Sequence, residues 1–152
     1  MPDEIVGIPV HPLLVHAVVV FIPLAALGSV AVALVPRWRK PYGPLVLAAS
    51  TLSLILVPLT TSSGDDLRDS LQLGGPVLDK VQEHQEMGER VIWAVLPMFV
   101  LNLATLVMAR AGRPSREVTI VAWLATIAAV VATVLVVLTG HLGSQAVWDP
   151  TG

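Results

Sequence analysis

Cysteine is absent from this chain, and charged and aromatic side chains are scarce. Without a thiol there is no disulfide, no zinc–thiolate site, no iron–sulfur cluster ligated by this chain, and no covalent c-type haem, which needs a Cys-x-x-Cys-His run. Only 13% of the 152 residues are charged and 55% are hydrophobic, where soluble domains carry about 25% charged residues. That deficit excludes an ordinary soluble domain and indicates an integral membrane protein. No nucleophile–base pair, phosphate-cradling glycine loop or basic patch occurs, so hydrolase, nucleotide and nucleic-acid readings have no support.

What is present is length without charge. Residues 5–36, 41–64, 91–109 and 118–148 contain no Asp, Glu, Lys or Arg, and about 20 apolar residues suffice to span a bilayer. The runs are rich in Val, Leu and Ala without the alternation of a barrel strand. They predict an all-α fold, an integral membrane four-helix bundle filling 1–152 as one domain, with helices near 11–36, 43–63, 83–109 and 117–141. Acidic Asp3 and Glu4 precede the first run and "PRWRK" follows it, so it reads as a permanent helix rather than a signal peptide.

The connections set topology. "RWRKPYGP" and "RAGRPSRE" are short, which makes both flanking helix pairs antiparallel hairpins. The middle segment, 64–82, reads as a longer polar loop that Gly74-Gly75-Pro76 breaks into two short pieces, with a helical turn expected on either side. Six basic residues lie in the two short turns: Arg37, Arg39, Lys40, Arg110, Arg113 and Arg116. Only three, Arg68, Lys80 and Arg90, lie on the other side, among ten acidic residues. The hairpin turns are therefore expected in the cytoplasm, and both termini and the 64–82 loop outside a bacterial cytoplasmic membrane. Arginine outnumbers lysine seven to two, a composition in keeping with a GC-rich bacterial genome.

This topology puts all four histidines, His11, His16, His84 and His141, at the extracytoplasmic ends of helices, within about two turns of one another in height. His84 shares a face with Gly88, Val91, Val95 and Asn102, while Asp79, Glu83, Glu86 and Arg90 mark the wet stripe beside it. His11 and His16 stand about 140° apart on an ideal helix. Pro12 is expected to take His11 out of the helix, leaving His16 as the better ligand. His141 lies in "TGHLGS", where Gly140 and Gly143 allow close approach of a flat ligand or a neighbouring helix. Small-residue stripes, Ala125, Ala129, Ala132 and Ala25, Ser29, Ala33, read as packing seams. Trp38, Trp93, Trp123 and Trp148 read as interface anchors or packing. A lone interfacial histidine is commonly just solvated; four ionisable residues at bundle-facing positions are functional by default. Asp65 and Asp66, in "TTSSGDD", would serve as acceptors for an imidazole N–H, unless that stretch merely ends the helix in water.

"HPLLVHAVVVFIPLAAL", the Ser-Gly-Asp closing helix 2, "EHQEMGE" and "TGHLGSQAVW" together resemble the bacterial membrane family catalogued as domain of unknown function 2231. The resemblance covers essentially the whole chain. It implies four helices and, through the Rieske-type iron–sulfur domains that accompany some members, redox company. The polar middle segment is longer than the family pattern implies.

Three functions fit these residues. In the first, two of His16, His84, His141 and His11 hold haem b for electron transfer with a quinol or an extracytoplasmic iron–sulfur protein, although aromatics at 5% are few for a porphyrin pocket. In the second, the four imidazoles, with Met87 as a soft ligand, bind copper, zinc or iron. In the third, the chain is a cofactor-free scaffold or accessory subunit, possible as a homo-oligomer, whose histidines respond to pH. Haem stands slightly ahead on the family's redox company. Whether the chain is an enzyme is left open.

Overall fold

A computed structural model describes residues 4–5 and 7–148. It consists of four helices: α1, Val10–Leu34; α2, Arg39–Ser70; α3, Pro76–Arg110; and α4, Ser115–Trp148. A two-residue antiparallel pairing of β1, Glu4–Ile5, with β2, Ile8–Pro9, precedes them. Every helix is long and apolar enough to cross a bilayer. Each packs on its chain neighbours and α1 also meets α4. The order around the bundle is thus α1–α2–α3–α4, with α1 diagonal to α3 and α2 diagonal to α4.

The turns stop the helices by recognisable means. After α3, Gly112 adopts φ +68° and Arg113 N–H donates to Met108 O at 3.1 Å, a left-handed stop that glycine permits. After α1, Arg39 folds back and donates to Val32 O and Ala33 O, and across to Thr119 Oγ1 of α4. A cation on the last carbonyls of a helix satisfies groups that have no partner within it.

The expected loop over 64–82 is a correction. α2 continues to Ser70 and α3 begins at Pro76, so the connection is only Leu71–Gly75. Polarity was the misleading cue. "DDLRDS" and "VLDKVQE" are helix extending past the apolar zone. Pro76 at the first helical position and Asp79 in the first turn of α3 both favour a helix start. Likewise α4 runs to Trp148 rather than ending near 141.

Small residues form the buried seams of α1 and α4, beside larger core side chains such as Ile22, Val95 and Met98. Ala25, Ser29 and Ala33 on α1, and Ala122, Ala125, Ala129 and Ala132 on α4, are buried, which brings backbones close where lipid supplies no hydrophobic drive between helices. Larger side chains such as Val20, Leu27, Leu45 and Ile127 face outward, and all four tryptophans are exposed. At mid-depth, the buried Asn102 amide donates to Ser29 Oγ and Ser50 Oγ, each at 3.0 Å. Those hydroxyls donate onward to Ala25 O and Val46 O of their own helices. One side chain of α3 therefore ties together α1 and α2. Replacing it, as Asn102→Val, is expected to cost about 1–2 kcal/mol, read as a lowered thermal midpoint in detergent; an unchanged midpoint would remove this tie from the account.

The two hairpins share one buried register. The shift that places His11 on His84 also places Val18 on Val91, Ile22 on Val95, Ala25 on Met98, Ser29 on Asn102 and Val32 on Thr105, and every one of these ten following positions is buried. Between α2 and α4, the shift that places Thr60 on Thr139 pairs Val57 with Val136, Ser53 with Ala132, Ser50 with Ala129 and Val46 with Ala125, again all buried. The two hairpins thus repeat one pattern of buried positions, α1 with α3 and α2 with α4.

Candidate functional site

At the terminal end of the bundle, a cavity of about 460 Å³ opens among all four helices. His11 and His84 line it from diagonal helices, their ring centroids 6.2 Å apart and their planes at 87°. Both are half-buried. They enter the bundle by the same construction in each hairpin. His11 Nδ1 lies 3.0 Å from Thr60 O on α2 and 3.3 Å from Ser63 Oγ. His84 Nδ1 lies 2.8 Å from Thr139 O on α4. One turn beyond each threonine stands a glycine against the ring. A Cβ on Gly64 would lie 3.0 Å from His11 Cε1, and one on Gly143 would lie 2.9 Å from His84 Cε1.

Hydrogen-bond chemistry settles the tautomers. A carbonyl oxygen only accepts, so each Nδ1 carries a proton and donates it, and in the neutral ring the lone pair is then on Nε2. No described residue bonds either Nε2, and neither atom is sealed off without a partner. Two imidazoles, each oriented by a backbone carbonyl, thus line a cavity whose other walls are mostly Val, Leu, Gly and Ala.

The remaining sequence candidates do not join this pair. His11 is not outside the helix: α1 begins at Val10, and Pro12 sits in the first turn, where its missing N–H has no partner to lose. His11 therefore takes the inward direction that had been expected of His16. His16 lies at the cavity's edge but is exposed, its Nδ1 turned back to Pro12 O. His141 is exposed and contacts Gln145; its neighbours Gly140 and Gly143 line the cavity instead. Met87 is half-buried outside the lining. Asp65 accepts from Gln85 rather than from an imidazole, and Asp66 is exposed. The acceptors expected to be carboxylates are main-chain carbonyls. Among the described residues, no three His, Cys, Asp or Glu side chains stand together as a metal-ion site, so the four-histidine ring resolves into one facing pair and two outliers.

Sequence reasoning passed over Thr60, Gly64, Thr139, Arg68 and Gln85. A signal for the first three lay in the Thr-x-x-x-Gly spacing repeated in "TTSSG" and "TGHLG" at corresponding points of the two hairpins. Over residues 7–151 the chain matches the family described as "Predicted membrane protein (DUF2231)". No curated protein and no solved structure matches it.

Proposed function

We propose that this chain, which belongs to the DUF2231 family of predicted membrane proteins, holds one haem b between His11 and His84 and passes electrons through it. The observation carrying this reading is the diagonal imidazole pair. With metal–nitrogen bonds of about 2.0–2.1 Å and a ring radius of about 1.1 Å, two imidazoles on opposite sides of one iron have centroids about 6.3 Å apart. His11 and His84 stand at 6.2 Å. Haem b held by two imidazoles from different helices of a bundle is a known mode of membrane ligation. The Nδ1–carbonyl bonds fix ring orientation and raise ligand basicity.

When bound, the haem supplies a one-electron couple. The protein's part is to supply the two imidazoles, orient them and line the slot with apolar side chains. His11 and His84 would together hold the iron, and the chemistry such a haem would supply is electron transfer rather than binding or activation of a small molecule. The metal-ion alternative needs three or four ligands and would require His16 and His141 to leave their present partners.

Purification in detergent, with absorption spectrum and metal content recorded on one sample, tests the proposal. A Soret band with about one iron per chain is the expected result. Stoichiometric zinc or copper without that band would move the site to the metal reading.

The same reading places the site at the extracytoplasmic face. The chain has no cysteine of its own, so Gly74→Cys and Arg113→Cys each provide a single thiol, one per end of the bundle. In intact cells a membrane-impermeant maleimide should label the first and spare the second. Labelling of Arg113→Cys alone would invert the topology.

A further inference from the structure

The α2 and α4 walls of the cavity correspond position by position, and they differ in charge at one pair. The register pairing Thr60 with Thr139 also pairs Thr61 with Gly140, Gly64 with Gly143 and Leu67 with Ala146, all of them lining residues. One step further it pairs Arg68 with Val147. Arg68 is the only Lys, Arg, Asp or Glu among the described lining residues. One side of the mouth carries a guanidinium where its counterpart is aliphatic.

Resting on the haem reading, we infer that Arg68 is the carboxylate anchor of the site and that it directs the acidic edge of the tetrapyrrole toward α2. A porphyrin with two propionates on one edge is polar on that edge and apolar on the other, which matches the Arg68–Val147 asymmetry of the mouth. The guanidinium is positioned and has capacity. Its Nη1 donates to Gln85 Oε1 at 2.7 Å, and Gln85 in turn donates to Asp65. Its Nε and Nη2 both donate to Asp69 Oδ1, at 3.1 and 2.9 Å. These use three of the five N–H donors of an arginine. The Asp69 side chain is 70% exposed, and a surface pair of that kind contributes little, so it yields readily to a ligand carboxylate. Gln85, itself a lining residue on α3, holds the head group at the cavity wall.

Titration of the apoprotein with haem and with haem dimethyl ester, whose carboxylates are masked, isolates this contact. The unmodified protein should prefer the free acid by roughly ten- to a hundredfold, the range for a charge-assisted hydrogen bond. Arg68→Val should lose that preference while keeping the Soret band. Adding Val147→Arg to Arg68→Val should restore it from the opposite side of the mouth, which a purely structural role for Arg68 would not allow. Equal binding of acid and ester by the unmodified protein, persistence of the preference in Arg68→Val, or failure of the transposed arginine to restore it would each overturn the assignment and leave the haem reading standing. Failure of the protein to shift and sharpen the Soret band of added haem in every titration would instead remove the haem reading, and this inference with it.

Discussion

His11→Ala and His84→Ala should each abolish stable haem retention, weakening it by at least about a hundredfold, since changes merely to the partners of a ligand already cost 10–100-fold. The helices should remain: both side chains lie near the end of the bundle, away from the Ala- and Ser-lined seams that hold it together. Far-ultraviolet circular dichroism checks that. His16→Ala and His141→Ala provide the contrast. Both residues are exposed, and each is bonded within its own helix, so their removal should leave the spectrum intact. Absorption spectra of the four purified variants separate a two-histidine site from a four-histidine one. Equal losses across all four would restore the ring and remove the diagonal pair.

The second large effect falls on two residues that carry no chemistry. At Gly143 an added Cβ would lie 2.9 Å from His84 Cε1 and 3.0 Å from Nδ1, and at Gly64 it would lie 3.0 and 3.2 Å from the same atoms of His11. The rings cannot simply swing away, because each is held through Nδ1 to a carbonyl of the adjacent helix. Gly143→Ala should therefore lower haem affinity about tenfold, with a smaller loss for Gly64→Ala, the size expected when the partner bond of an axial histidine is disturbed. Poor folding is not the cause expected: alanine favours helix over glycine by about 1 kcal/mol, so helicity and thermal midpoint should hold or rise while the Soret band falls. Gly74→Ala, whose added Cβ meets nothing within 4 Å, serves as the control. Unchanged haem affinity in Gly143→Ala would mean that the His84 ring has freedom the geometry denies it.

How far the sequence could be read depended on whether polar residues marked a face. The bundle itself was legible because four long stretches lack charge. The inward face of His84 was legible because Asp79, Glu83, Glu86 and Arg90, all outside the core, show which side of α3 is wet. Helix α1 has no such markers: it is apolar on every side, lipid and core alike, so nothing in its composition decides between His11 and His16. Pro12, read locally, suggests a chain that leaves the helix at His11, whereas α1 already begins at Val10. Residues 64–82 misled for a related reason. A helix that projects beyond the bilayer becomes polar all round and resembles a loop. The repeat in the site stayed hidden because the hairpins share few identities in the core; Ser29 answers Asn102 and Ser50 answers Ala129, so the shared property is burial, which appears only once the helices are packed.

Ligation of one iron by both His11 and His84 would leave its mark on the electron paramagnetic resonance spectrum of the oxidised protein. Two imidazoles on one ferric haem give a low-spin signal. If the Thr60 and Thr139 carbonyls keep the rings near their 87° crossing, that signal should be the highly anisotropic kind that perpendicular axial planes produce. The account predicts this signal in the unmodified protein and its loss in both His11→Ala and His84→Ala. A high-spin ferric signal in the unmodified protein, or a low-spin signal that survives removal of either histidine, would contradict it.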